Sequence, residues 1–366
     1  NKTSDLASLE DVDAGYNVEE WKCENEPNGI ICLEDSIMIS DKASDAIIQM
    51  DYSGNLIKKI GLVLLGTFVL TSCSEDDDNY DRNVYNIVAK DADFSNLKAA
   101  IDKAGLATTL QSSGTFTVFA PSNAAFTAFL QANGFASLEQ VPTATLKEIL
   151  LNHVLSTEVK AAQVTTGYVS TLAKGAASSS RNLSMYINTS NGVKINGVSN
   201  VTKTDIDATN GVIHKVDAVI GLPTIVTHAT ANPNFTTLVA ALTRNDMPNF
   251  VSILSGTANS PFTVFAPTNT AFSGLLTELN LSGLSAIPQA TLENTLKYHV
   301  VAGANVASTD LTNNMMVTTF QGGKFTITTT GGAKITDAKN RVSNIVATDV
   351  QCSNGIIHVI DKVILP

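Results

Sequence analysis

The chain has 366 residues, of which 44% are hydrophobic and 16% charged, with a formal net charge of −11. That length suits two or three domains, and the apolar share excludes a disordered polyanion because proper cores can be buried. The acidic balance excludes binding to a phosphate backbone, which needs clustered Lys and Arg.

Residues 1–49 hold Cys23, Cys32, the single Trp21 and many acidic side chains. Two readings stay open for them: a segment foreign to the mature protein, or a small domain with Cys23 and Cys32 paired. Lys58 and Lys59 then precede IGLVLLGTFVL, an uncharged run over residues 60–70 followed by Thr71, Ser72 and Cys73. A basic start, a short apolar run and small residues before a cleavage point read as a secretory signal over residues 50–72. As a helix the run would rise only about 16 Å, roughly half a bilayer core. Leu70-Thr71-Ser72-Cys73 resembles the lipobox of bacterial lipoproteins, in which the Cys becomes the lipidated first residue. The SEDDD that starts at Ser74 is similar to the acidic surface-export tag of Bacteroidetes lipoproteins. These resemblances imply lipidation at Cys73 and an acidic tether over 73–82. They also imply a place on the outer-membrane surface of a Gram-negative bacterium, with membrane contact through the lipid anchor alone. Beyond Cys73 only Cys352 remains, so the mature chain is no disulfide scaffold. Cys352 aligns with Ala208 and is expected to be a small buried residue.

From residue 83 the chain reads as one domain written twice, over 83–222 and 223–366. In the first copy Leu97, Ala100, Ile101 and Ala104 follow helical spacing, with Ser95 as the expected N-cap. Phe235, Leu238 and Leu242 repeat the pattern. FTVFAPSNAAF over Phe116–Phe126 returns as FTVFAPTNTAF over Phe262–Phe272, with only Ser122/Thr268 and Ala124/Thr270 differing. The Thr/Phe/Val alternation predicts a strand, Pro ends it, and Ser122-Asn123 starts a helix carrying Phe126 and Phe129. The second copy carries extra residues just before this corner. A helix follows in ATLKEILLNHVLS, where Leu146, Ile149, Leu150 and His153 share a face, and in ATLENTLKYHVVA, with Leu292, Leu296 and His299. LAKGAASSS over residues 172–180 reads as loop. Strands close each copy, and Asn210-Gly211 and Asn354-Gly355 are turn signals before the last one. Pro223 follows Leu222 directly, so the two copies are expected to hold a fixed relation.

FTVFAP with S/T-N-x-A-F, a Leu-rich helix ending in x-H-V, and NGxIHxxDxVI stand in the same order in both copies. In this the chain resembles fasciclin domains. The resemblance implies an α+β fold: two tandem domains, each a β-sandwich wedge with helices packed at one side. It implies a non-catalytic adhesion or protein-interaction role on the cell surface, with no cofactor. Two adhesive sites are implied by the family pattern. The Tyr-His pair is Tyr298-His299, with Asn152-His153 departing in the first copy. The Asp-Ile pair is Asp205-Ile206, with Asp349-Val350 as its near match.

His153 and His299 on apolar faces are expected as hydrogen-bonded core residues, and no His cluster has metal-ligand spacing. Asp205, Asp207 and Asp217 suggest paired carboxylates, but Gln351 stands where Asp207 has its counterpart, which favours structure over glycoside chemistry. The expected partner is a surface protein. An extracellular glycan, bound by an accessory of a nutrient-uptake system, is the alternative, set second because no Trp follows residue 21.

Overall fold

The computed structural model describes residues 82–366, together with the backbone of four strands in the N-terminal unit. Those strands, β1 (Ile30–Cys32), β2 (Ser36–Asp41), β3 (Ala46–Asp51) and β4 (Leu56–Gly61), form an antiparallel sheet in the order β1-β2-β3-β4. The expected boundary between residues 49 and 50 therefore falls inside β3, where Met50 pairs with both Ile37 and Leu56. Lys58 and Lys59 of the expected signal segment lie in β4. The apolar run beyond Gly61, Cys73 and the tether up to residue 81 lie outside the described residues.

The first repeat opens with three helices, α1 (Val84–Lys90), α2 (Ser95–Ala104) and α3 (Ala107–Gln111). Ser95 is not the cap of α2 but its first residue; the carboxyl of Asp91 caps the 3-10 turn that leads into it. Strand β5 (Phe116–Pro121), α4 (Asn123–Ala132) and α5 (Thr143–Leu151) follow. The sheet is completed by β6 (Val154–Leu155), β7 (Gly167–Lys174), β8 (Asn182–Asn188), β9 (Lys194–Ile195), β10 (Ser199–Ala208) and β11 (Gly211–Val216). Leu172–Lys174, expected as loop, extend β7 and only the stretch after them is loop.

The second repeat runs α6 (Ile225–Ala231), α7 (Thr236–Leu242), α8 (Phe250–Ser255), β12 (Phe262–Pro267), α9 (Asn269–Glu278) and α10 (Gln289–Tyr298). It ends with β13 (Val300–Ala302), β14 (Met315–Thr318), β15 (Lys324–Thr328), β16 (Lys334–Thr336), β17 (Val342–Cys352) and β18 (Gly355–Ile360). Strand order is β6-β5-β11-β10-β9-β8-β7 in one and β13-β12-β18-β17-β16-β15-β14 in the other, the same topology twice.

FTVFAP is a strand, as expected, but it does not alternate between core and solvent. It runs parallel to the closing strand, β5 to β11 and β12 to β18, and both of its faces are covered. Val118 and Ala120 face the helices. Phe119 faces the other half of the sheet, among Met185, Ile187 and Ile195. Central strands buried on both faces lose the polar side of the period. Ser122 and Thr268 do cap the following helices, accepting from the backbone N–H of Ala125 and Ala271 at 3.2 Å.

One residue ties these layers together. The side-chain oxygen of Asn210 accepts from the first N–H of α1 at Val84, 2.8 Å. Its amide donates to the carbonyls of Leu110 and Ser112 at the end of α3, both 2.8 Å, and its own carbonyl accepts from Phe116 of β5. Asn354 repeats the pattern with Ile225, Leu254, Gly256 and Phe262. The next residue must be glycine: a Cβ on Gly211 would lie 2.0 Å from the carbonyl oxygen of Phe116, and one on Gly355 2.2 Å from that of Phe262.

The two repeats touch directly. The amide of Ala177 donates to the carbonyl of Ser353 (3.0 Å) and that of Gln351 to Ser184 Oγ (3.0 Å), while at the start of the second copy the carbonyl of Pro223 accepts from the amide of Ser353 (2.7 Å). A Cβ on Gly175 would come within 2.6 Å of Ser353 Cα, so glycine permits this approach.

Asn354→Ala is expected to lower stability by roughly 2–4 kcal/mol, because it strands several buried backbone groups at once. Phe265→Ala is expected to lose about 3–5 kcal/mol through cavity formation. Denaturant unfolding of the full chain measures both.

Candidate functional site

The Tyr-His pair is placed in the core. Tyr298 is fully buried, and its hydroxyl donates to the carbonyl of Lys324 at 2.6 Å. His299 Nε2 accepts from the N–H of Ile364 (3.1 Å), so Nδ1 carries the proton and donates to the carbonyl of Thr295 (2.7 Å). His153 does the same with Ile220 and Ile149. Asn152, at the position of Tyr298, is also buried and donates to the carbonyls of Ile220 and Gly221. Neither pair presents a side chain to a partner. Each ties the end of its helix to the chain's return.

The Asp-Ile pairs sit on β-bulges. Asp205 and Asp349 have φ of 56° and 62°, where the register of β10 and β17 slips against the closing strands. A bulge removes an N–H from the ladder. Here the Asp205 and Asp349 N–H groups donate to Nδ1 of His214 and His358, whose Nε2–H groups donate to the carbonyls of Val159 and Val306. His214 and His358 are thus buttresses of the bulges. The carboxylates act locally: Asp205 accepts from the N–H of Ala161 (2.9 Å), Asp349 from the N–H of Ser308 (2.8 Å) and from its hydroxyl. Ile206 is partly buried and Val350 buried. Asp207 pairs with Lys160 at 3.0 Å, and Asp217 accepts from the backbone and side chain of Asn200, so these carboxylates serve structure.

What the structure adds is a cleft of about 620 Å³ between the repeats. One wall is Tyr168, Val169 and Ser170 of β7 with Arg181, Asn182 and Ser184 at the start of β8. The other is Ala347 to Gln351 of β17. Asp349 and Val350 therefore lie in it, whereas Asp205 stays on the exposed surface of the first repeat. Arg181 Nη2 donates to Thr309 Oγ1 across the cleft at 2.8 Å. At the floor the Gln351 side chain is held by Asn305 and by the carbonyls of Cys352 and Gly355. Cys352 is buried beneath it, its thiol pKa pushed up by burial.

Behind β7 the Tyr168 ring packs on Tyr186 (4.9 Å) and edge-on to His228 (5.4 Å), and its hydroxyl accepts from the Asn232 side chain. Burial raises the Tyr168 pKa. Neither ring nitrogen of His228 makes a well-formed hydrogen bond, although the Ser184 backbone lies close enough to favour protonation slightly. Sequence reasoning missed Tyr168, Arg181 and His228. The signal available was their position in the stretches where the two copies differ most.

These features define a tandem repeat of one α+β domain whose surface cleft is assembled from both copies. The chain belongs to the fasciclin-domain family, which it matches over residues 92–223 and 233–366. Such domains occur in cell-adhesion and interaction proteins. The chain is 39% identical over 144 residues to an uncharacterized protein of Synechocystis sp., covering 39% of this chain and 98% of that one. It is 29% identical over 266 residues to the transforming growth factor-beta-induced protein ig-h3 of Sus scrofa, covering 70% of this chain and 35% of that protein. A FAS1 domain pair from the insect cell adhesion molecule fasciclin I is similar in structure with a TM-score of 0.43 at 20% identity, over 77% of this chain and 96% of that one. Among the described residues no helix is long and apolar enough to cross a membrane.

Burial holds the pKa values of His153, His228 and His299 at about 4, against an ordinary value of 6.5. Between those values the unfolded chain binds more protons than the folded one. Their contribution is complete above pH 6.5, falls as pH drops from 6.5 to 4, and changes no further below. Each His adds a slope of up to about 1.4 kcal/mol per pH unit. Denaturation midpoints across this window should show it, and His228→Leu should reduce the slope with little change at pH 7.

Proposed function

We propose that this chain is a non-catalytic adhesion and protein-interaction module of the cell surface, and that its contact site is the cleft between the two repeats. The observation that carries the reading is the cleft itself. A guanidinium, a carboxylate, amides and hydroxyls from both domains line one concave surface, held by hydrogen bonds between them. Groups so fixed lose little conformational freedom when a partner arrives. The mature chain begins at a lipidated Cys73 and stands on the outer-membrane surface, as the lipobox and acidic run suggest. The adhesion character of fasciclin relatives supports the role.

The polar lining beside Tyr168 favours a second reading, an extracellular glycan held in the same cleft. Binding of the full chain to an outer-surface extract, treated with protease or with periodate, separates them. Loss on protease treatment is expected; loss only on periodate would replace the protein partner by the glycan. Arg181→Glu should weaken capture at least tenfold, about 1.4 kcal/mol, with unchanged thermal stability. Unchanged capture by that variant would remove the cleft from the mechanism. Labelled palmitate should be incorporated into the native protein and not into Cys73→Ala.

A further inference from the structure

The two repeats are alike in fold but not in how well their helical cores are filled. In the second, a cavity of about 100 Å³ lies between α6, α7, α8 and β12. The overlapping cavity of the first repeat, between α2, α3, α5 and β5 and without α1 in its lining, holds about 20 Å³. Residue differences account for it. Phe94 and Phe235 mark the register of the two copies, which sets Tyr85 against Val226 and Val88 against Ala229. Val88 lies in the first core and the half-buried Tyr85 packs against it, its hydroxyl on Asp102, whereas the smaller Val226 and Ala229 line the cavity of the second. The insertion before the second corner splits around α8, a wall of the cavity, three residues ahead of Leu254 and two behind it.

The lining offers no free polar group. His299 uses both ring nitrogens. Thr230 and Thr243, at the rim, spend their hydroxyls on the carbonyls of their own helices. Every other wall is hydrocarbon, including the exposed Val251 at the mouth. Apolar cavities of this size stay dry and take up hydrocarbon, and an empty one costs stability in proportion to its volume. A ligand here must bring no hydrogen-bonding group inside and must leave any polar head at the mouth.

We propose that the second repeat is a binding site for the end of a linear alkyl chain, taking the last few carbons of an amphiphile's tail through the opening beside Val226, Thr230 and Val251. The site is separate from the inter-repeat cleft and does not depend on what that cleft binds.

The test uses the full chain and decanoate below its micelle-forming concentration. Saturable one-to-one binding is expected, with a rise in Tm of several degrees at saturation. NMR contacts should run from the decanoate terminal methyl to the buried lining residues Ala229 and Leu254. The variant Val226→Tyr/Ala229→Val restores the residues of the first repeat and should bind at least tenfold more weakly. Should the pair disturb the fold, Ala229→Val alone, a change of two methyl groups, serves the same purpose. Absence of saturable binding would overturn the proposal. So would equal binding by the filled variant, or contacts that map to Arg181.

Discussion

Each domain depends on one Asn-Gly turn. Asn210 and Asn354 each cap the start of the first helix, close the end of the third and bind the incoming central strand. The glycine after each lets that strand approach to a distance no side chain would allow. Helix ends and strand starts carry backbone groups with no partner of their own. One buried asparagine answers four of them, three through its side-chain amide and one through its own carbonyl, at the point where helices, FTVFAP strand and closing strand meet. The parallel pairing that seats FTVFAP between the short edge strand and the closing strand starts from this turn.

The histidines extend the same logic. One of each domain locks the end of the Leu-rich helix to the final segment; the other satisfies the N–H released by a bulge. Opposite tautomers serve the two tasks, because in the first Nε2 accepts and in the second Nδ1 does. The fifth, His228, has no such task and lies against Tyr168 where the repeats meet. The four histidines common to the copies thus have both ring nitrogens engaged, and divergence shows where the copies face each other or differ in filling.

Much of the fold was legible because its signals are local and occur twice. The capped corner, the Leu-rich helix and the Asn-Gly turn each depend on a few neighbouring residues. Ser95 misled as a cap because a 3-10 turn precedes α2 and moves the capping role to Asp91. The candidate site was less legible. Tyr298 and His299 occupy the position that the family pattern marks, yet both are buried. Asp349 and Val350 reach the cleft, whereas Asp205 does not, because only the second bulge faces the other repeat.

By itself the sequence determined that one domain is repeated, which family it resembles, and where its strand-to-helix corner and turns fall. Those properties depend on periodicity, capping and identical words, all readable within a dozen residues. Only the tertiary structure decided that FTVFAP is covered on both sides, that the Tyr-His pair is core, and that a cleft and an apolar cavity exist. The physical reason is separation along the chain. Gln351 meets Ser184 across 167 positions, and the second cavity opens because Val226 and Ala229 are smaller than the residues that fill the first core. Volume and contact between distant segments have no local pattern to announce them.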